Sequence, residues 1–351
     1  MTNQAHTSNP SIGERPVTWA LIGASSIAAT YMIDAFRRAP GGRLAGVLSS
    51  DPERGARYAE QHQLACAYAS LEELCASPEV DAVYISTPND RHAPQALAAI
   101  EAGKHVLCEK PLAATVADAR AMVAAAEPAG VTLGVNHHLR SAPANLMAKE
   151  LIDSERIGTV LGARFFHGTE LPVGLRTWRT GSPEAGAGAA LDLTVHGADL
   201  LRFLLSGEIE EVAAFCAHQG MSTHPDIEDA VAGVLRLSGG QLVTFHDAFT
   251  TPYVHTRVEI YGSAGSITIE DAMLDDPVAT VTLYDESGAH QIPLDQSEGL
   301  YVRTVRLFNE AVKGRGAPTA SGEDGLRSLM VASAALQAAR EMRTVRVELV
   351  A

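Results

Sequence analysis

From Val17 onward, short apolar or β-branched runs alternate with stretches whose apolar residues recur every three to four positions. That alternation predicts a parallel sheet with crossover helices. Val17 to Gly23 reads as the first strand, and Ser26 to Arg38 as a helix with Ile27, Tyr31 and Ala35 on one stripe, stopped by Pro40-Gly41-Gly42. Arg43 to Ser50 is a second strand and Pro52 to Gln63 a second helix. Ser70 caps a short helix through Glu73. A buried strand at Asp81 to Thr87, a helix at His92 to Ala102, a strand at His105 to Cys108, a helix at Ala117 to Ala129 and a strand at Val131 to Asn136 complete this half.

After Ile157-Gly158 the pattern changes to longer strands at Thr159 to Thr169, Val212 to His218, Val231 to Leu237, Gln241 to Ala248 and across Arg257 to Ile269. The breakers Ser238-Gly239-Gly240 and Ser263-Ala264-Gly265 separate neighbours, which points to an antiparallel or mixed sheet. Gly322 to Arg340 returns to helix before a final short strand. The expected fold class is α/β. A Rossmann-type doubly wound parallel sheet spans residues 16–136, and an α/β domain with a large, mainly antiparallel open sheet spans residues 137–351. The final helix and strand are candidates to pack back on the first domain. Residues 1–15 read as a disordered lead-in without the basic start and apolar stretch of a signal peptide.

Composition narrows the function classes. The 351 residues, 46% hydrophobic and 20% charged, suit two ordinary domains rather than a disordered chain. A net charge of -15 with no basic block argues against nucleic acid or an anionic membrane as partner. No uncharged apolar run approaches the roughly twenty residues of a spanning helix. The four cysteines form no C-x-x-C pair, which fits reduced thiols in a cytoplasmic protein.

The turn Gly23-Ala24-Ser25-Ser26-Ile27-Ala28 lies where a dinucleotide fingerprint belongs, although only the first of its three glycines is present. Gly23 permits the tight turn, Ser25 offers a hydroxyl to a pyrophosphate, and Ala28 keeps the helix near the strand. A generic strand-to-helix turn is the plain alternative. The second strand ends in Ser49-Ser50 instead of an acid, and Arg54 follows where a guanidinium could pair a 2′-phosphate. Asp51 works against that preference, as would an Arg54 that is merely a solvated charge. NADP(H) is therefore the preferred cofactor and NAD(H) the alternative.

Three further motifs stand in order: Thr87-Pro88-Asn89 with His92, then Glu109-Lys110-Pro111, then Gly186-x-Gly188-x-x-x-Asp192-x-x-x-His196. Together they resemble the glucose-fructose oxidoreductase/inositol dehydrogenase (Gfo/Idh/MocA) family over nearly the whole chain from Val17. The Gly-Ala-Ser-x-Ile-Ala turn, the Ser-Ser-x-x-Glu-Arg-Gly run from Ser49, Asn-His-His-Leu-Arg at 136–140 and Phe-His-Asp-Ala-Phe-Thr-Thr at 245–251 are similar to the members that reduce 1,5-anhydro-D-fructose. Asp51 and Gly197 are departures. The resemblance implies an oxidoreductase acting on the CH–OH or C=O of a carbohydrate. It implies cofactor contacts from Gly23, Ser25, Ser26, Ile27, Ala28, Ser49, Ser50, Arg54, Thr87, Pro88, Asn89, His92, Glu109 and Lys110, with Trp178 and Arg179 near the nicotinamide. A packing Trp beside a surface Arg is the alternative for the last two. On the sugar side it implies Lys110, His137, His138, Arg140, Asp192 and His196, with His246 by subgroup similarity alone. It also implies a homo-oligomer formed through the C-terminal sheet.

The chemistry of these residues agrees with that reading. Reducing a ketone requires a hydride donor, a proton source at the carbonyl oxygen and a group to stabilise negative charge developing there. Asp192 and His196 are four apart in the apolar stretch Ala189 to Leu205, so both lie on one helix face. The imidazole, with an ordinary pKa of about 6.5, is the expected proton donor. Lys110 follows a parallel strand at the edge where open α/β sheets bind ligands, and can hold or polarise the substrate oxygen. A surface or capping Asp–His pair and a solvated lysine are the plain alternatives. Adjacent His137 and His138 would point to opposite faces of a strand with no third ligand, so no metal is expected. Together with the resemblance, which alone implies the sugar, this gives as the expected reaction the NADPH-dependent reduction of a cyclic ketosugar, 1,5-anhydro-D-fructose to 1,5-anhydro-D-mannitol. An NAD-dependent sugar or inositol dehydrogenase and a non-catalytic sugar or nucleotide sensor are the alternatives.

Overall fold

The computed structural model describes residues 13–273 and 279–348, so most of the expected lead-in lies outside the described residues. Strands β1 (Val17–Ile22), β2 (Gly42–Leu48), β3 (Cys66–Tyr68), β4 (Ala82–Ile85), β5 (His105–Cys108) and β6 (Leu133–Val135) form one parallel sheet in the order β3-β2-β1-β4-β5-β6. β1, β4 and β5 are buried at every position, as strands covered on both faces by crossover helices must be. The strand order reverses between β1 and β4, opening a crevice at their C-terminal ends. Ser70 caps its helix as expected, accepting from the Glu73 amide at 3.2 Å.

The second sheet contains β7 (Val160–Gly168), β8 (Ile209–Ala217), β9 (Ala230–Leu237), β10 (Leu242–Ala248), β11 (Arg257–Gly262), β12 (Ser266–Glu270), β13 (Thr280–Asp285), β14 (Gly288–Ile292) and β15 (Val345–Arg346). Their order is β14-β13-β12-β11-β7-β10-β9-β8-β15, with only β7 and β10 paired in parallel. β13 and β14 extend the sheet beyond the sequence expectation. Inward positions such as Phe165, Phe245, Val258, Ile260 and Ile267 are buried beneath the helices Pro143–Asp153, Val195–Leu205 and Gly322–Glu341.

The helix Leu300–Val312, unanticipated from the sequence, packs on the first domain. Phe308 lies 5.0 Å from the ring of Trp19, whose indole N–H donates to Asn309 at 2.9 Å. The helix Gly322–Glu341 begins with a capping box between Ser321 and Asp324 and lies close on β6, where a side chain at Gly325 would meet Val135 at 2.4 Å. The final strand does not return to the first domain. β15 pairs with β8 and closes one edge of the second sheet. No described helix is long and apolar enough to cross a membrane.

Candidate active site

The crevice at the end of β1 begins with Gly23, held at φ +112° with a would-be Cβ 3.1 Å from the Ser86 carbonyl at the end of β4. Only glycine fits that approach. The Ser25 hydroxyl meets the Ser86 hydroxyl at 2.7 Å and accepts from the Ala28 amide at 3.2 Å, while Ser26 is exposed at the start of the helix and Ile27 is half-buried against the core. This backbone cradle, with no acidic side chain in it, fits a dinucleotide pyrophosphate.

At the end of β2, Arg54 donates from Nε to the Ser49 hydroxyl at 3.0 Å and from Nη2 to the Ser50 hydroxyl at 3.4 Å. Asp51 caps the helix Pro52–Gln61, accepting from the Arg54 amide at 3.1 Å. That bond holds its carboxyl below the usual range and gives the carboxylate a local structural task.

Lys110 follows β5, joined to Pro111 by a cis peptide bond. Glu109 is buried, and its carboxylate accepts from the Tyr84 hydroxyl at 2.5 Å and the Asn136 amide at 2.6 Å, so it braces the strand ends. Lys110 Nζ donates to Asp192 Oδ1 at 2.7 Å and to the Asp192 carbonyl at 2.9 Å. Arg179 Nε lies 3.6 Å from Asp192 Oδ2, and its guanidinium stacks 4.5 Å from the Trp178 ring. Burial alone would raise the Asp192 carboxyl, but Lys110 and Arg179 outweigh it and hold the group down at about 2.

Asp192 lies in a π-helical turn, Ala190–Thr194, that runs directly into the helix Val195–Leu205 carrying His196. Such wide turns recur at functional sites. Asp192 and His196 share one helical run but make no contact among the described hydrogen bonds and ion pairs, because the carboxylate is engaged by the two cations. His196 is 7% exposed, and its Nδ1 has no hydrogen-bond partner among the described residues. Three other imidazoles surround it, with ring centroids at 5.4 Å for His138, 6.0 Å for His167 and 6.2 Å for His137. Burial, then the Lys110 charge and these neighbours, hold His196 well below the ordinary histidine range, so it is neutral at pH 7. His196 follows Asp192, the partner of Lys110, by four residues on the same helical run.

Several expected residues are held by partners within the protein or lie away from this locale. His92 is fully buried, its two ring nitrogens 2.9 Å from the Pro111 and Thr87 carbonyls, so it ties two motifs together. Arg140 forks onto Asp199 at 2.8 and 2.7 Å and pairs with Asp324 at 3.0 Å, which occupies its donors in an ion network. His137 is buried against Ser328 at 2.9 Å. His246 points to the opposite face of the sheet. β10 alternates, so Phe245 and Asp247 turn inward and His246 turns outward against Phe166 at 5.3 Å. There it lines a 560 Å³ cleft with Arg164, Tyr253 and Arg257, on the far side of the sheet from His196.

The same alternation identifies the residues that the sequence reading missed. Asp247 is fully buried, accepts from the Thr194 hydroxyl at 2.6 Å, and burial pushes its carboxyl up to about 8. His167 occupies the register position beside Asp247 on β7. Glu228, buried just before β9, accepts from the Ala190 amide at 2.8 Å, and burial raises it to about 7. Alternation along Val243, Phe245 and Asp247 was the available signal for Asp247, whereas Glu228 left none.

Comparison with known proteins accords with this architecture. Residues 17–137 match the Gfo/Idh/MocA model described as an oxidoreductase family with an NAD-binding Rossmann fold, and residues 145–268 match the C-terminal domain model of the same family. A 1,5-anhydro-D-fructose reductase from Ensifer adhaerens is 46% identical over 94% of this chain and 98% of its own length. The Myo-inositol 2-dehydrogenase of Thermotoga maritima is 30% identical over 80% of this chain and 84% of its own length. The crystal structure of aldose-aldose oxidoreductase from Caulobacter crescentus superposes with a TM-score of 0.88 at 27% identity, covering 95% of this chain and all of that one. The crevice at the strand-order reversal, the Lys110–Asp192 pair beside His196 and these matches make the chain a member of the Gfo/Idh/MocA family of NAD-binding Rossmann-fold oxidoreductases.

Proposed function

We propose that this protein reduces the ketone of a cyclic sugar, 1,5-anhydro-D-fructose to 1,5-anhydro-D-mannitol, with NADPH as the preferred reductant. The observation that supports the reading is the Lys110–Asp192 pair on the helical run that carries the buried His196 four residues on. The 46% identity to a 1,5-anhydro-D-fructose reductase supports the substrate. A nicotinamide bound at this crevice would supply the hydride for the carbonyl carbon. The Lys110 ammonium donates a hydrogen bond to the carbonyl oxygen and offsets the charge developing there. As that charge builds, the oxygen takes a proton from the imidazolium form of His196, the minor form at neutral pH, which leaves the neutral imidazole to be reprotonated from solvent after turnover. Asp192 orients Lys110, Trp178 and Arg179 close the nicotinamide end, and His138 bounds the sugar side.

The preference for NADPH rests on the corner formed by Ser49, Ser50 and Arg54, where two hydroxyls and a guanidinium suit a 2′-phosphate and Asp51 is engaged in its cap. The test is cofactor titration: Arg54→Ala weakens NADPH about 10- to 100-fold and leaves NADH unchanged. Tighter binding of NADH than NADPH by the parent protein overturns the preference.

One observation favours a second reading. An imidazole held neutral suits proton abstraction from an alcohol, as in a sugar or inositol dehydrogenase running the opposite way. Initial rates in both directions at pH 7 with paired substrates separate the two.

The outward face of the second sheet exposes Phe215, Val234, Leu242, Tyr261 and Tyr284, which supports a homo-oligomer in which a second copy covers that face. Light scattering reports the mass directly, and a monomer at micromolar concentration refutes it. The net charge and free cysteines support a cytoplasmic location.

A further inference from the structure

The π-helical turn Ala190–Thr194 is gripped at both ends by buried carboxyls that contact neither the cofactor turn nor Lys110. At its start, Glu228 accepts from the Ala190 amide at 2.8 Å through its side chain and from the Ala189 amide at 3.2 Å through its carbonyl. Gly188, at φ +107°, has its would-be Cβ 2.4 Å from Glu228 Oε1, so the carboxyl fills the space that any larger residue would need. At its end, Asp247 accepts from the Thr194 hydroxyl at 2.6 Å. Between these clamps the backbone leads back to the site. Gly188 donates its amide to the Arg179 carbonyl at 3.1 Å, and Asp192 donates its amide to the Gly188 carbonyl at 3.1 Å. Arg179 and Asp192 are the residues whose side chains pair beside Lys110.

We propose that Glu228 and Asp247 are positioning residues that fix the wide turn, and through it the placement of Asp192 against Lys110 and of His196 two residues beyond Thr194. Burying a carboxyl is costly unless something recovers that cost, and both groups here lie in the second domain against one five-residue turn. Each makes a described side-chain bond to that turn. Ordinary packing would be served by an apolar residue at either position. A carboxyl retained there serves as an acceptor of defined reach.

The inference rests on the proposed roles of Lys110 and His196, and the experiment separates its failure from theirs. Glu228→Gln keeps the length and the acceptor oxygen but loses the charge, whereas Glu228→Asp keeps the charge and withdraws it by one methylene. Asp247→Asn keeps an acceptor for Thr194, and Asp247→Leu removes it at similar volume. Positioning predicts that Glu228→Asp and Asp247→Leu lower kcat about 10- to 100-fold, with the NADPH dissociation constant changed less than about threefold. It predicts that Glu228→Gln and Asp247→Asn stay within about threefold of the parent in both. Amide hydrogen exchange over residues 189–194, read without substrate, accelerates in the first pair only. Thr194→Val combined with Asp247→Leu is no worse than Asp247→Leu alone. Should Asp247→Leu not fold, the Glu228 pair and Thr194→Val carry the test.

A loss in Glu228→Gln with Glu228→Asp unimpaired would make the charge itself the active feature and overturn the proposal. Unchanged exchange and kcat in Glu228→Asp would do the same. Lys110→Met and His196→Asn are assayed alongside. If those retain turnover, the reading of the site fails on its own; if they lose it while Glu228→Asp does not, only the positioning role falls.

Discussion

Gly197 follows His196 directly and departs from the residues expected at that place, and the structure supplies a physical reason. A Cβ built there would lie 2.3 Å from two atoms of the Phe165 ring, where ordinary contact begins near 3.4 Å. The ring would have to withdraw by more than 1 Å, yet Phe165 is 1% exposed and stacks on Phe245 at 5.6 Å. In Gly197→Ala two effects compete. A helix interior gains about 1 kcal/mol when alanine replaces glycine. Overpacking a close-packed core costs about 1 to 3 kcal/mol. With a backward path blocked by Phe245, the cost exceeds the gain, for a net destabilisation of about 1 to 2 kcal/mol. Some of the strain is relieved by the helix Val195–Leu205 lifting off β7, which carries the His196 ring with it. Turnover therefore falls about 10- to 100-fold while NADPH affinity holds. Thermal melts, steady-state kinetics and cofactor titration read the three quantities. Phe165→Leu trims the obstructing ring edge, so the double variant is less destabilised than the sum of the singles. A Gly197→Ala protein that melts higher than the parent, with kcat unchanged, would refute the reasoning.

Three further outcomes follow from the electrostatics. Asp247 has a carboxyl raised to about 8 by burial, so the folded state holds a proton that the unfolded chain releases near pH 4. Its contribution to stability is intact below that pH and is lost as pH rises to about 8, at roughly 1.4 kcal/mol per pH unit. Urea midpoints of Asp247→Asn relative to the parent must then rise steadily from pH 5 to pH 8, and a constant offset contradicts the assignment. Because burial and Lys110 depress His196, its protonated form is scarce at neutral pH. Reduction should accelerate as pH falls through 6.5 and below, while the reverse oxidation stays level above 6.5; a level reduction profile from pH 5.5 to 8 counts against His196 as the proton source. Arg140→Met leaves Asp199 buried without its forked partner, at a cost of about 3 to 5 kcal/mol. Adding Asp199→Leu should restore much of the lost thermal stability, and no recovery would show that the pair does not act as a unit.

The sequence revealed the fold most clearly where periodicity was strong. Alternating apolar runs marked β7 to β12, and the glycine-rich breakers marked the turns between β9 and β10 and between β11 and β12. The helix Leu300–Val312 carried a usable stripe in Leu300, Tyr301, Val305 and Phe308, and Val281 and Leu283 alternated inward on β13, so these elements were legible though unread. Lys110 meets Asp192 because the lysine stands just past the end of β5 and the aspartate in the wide turn that leads into the helix of His196. What local pattern could not reveal was partnership at long range. Arg140 meets Asp199 across 59 positions and Lys110 meets Asp192 across 82, so neither the burial of the first nor the second's hold on the Asp192 carboxylate could be read locally. His246 was misplaced because similarity to a motif was followed where strand alternation pointed to Asp247.

The docking of the helix Leu300–Val312 on the first domain has a consequence for synthesis. Trp19 emerges from the ribosome long before Asn309 and Phe308, the residues that satisfy its indole and cover its ring. Likewise β6 waits for Gly325 and its helix. The nucleotide-binding half therefore cannot reach its final packing while the rest of the chain is still being made, and truncation before residue 300 should leave it with an open apolar flank that invites chaperones or aggregation.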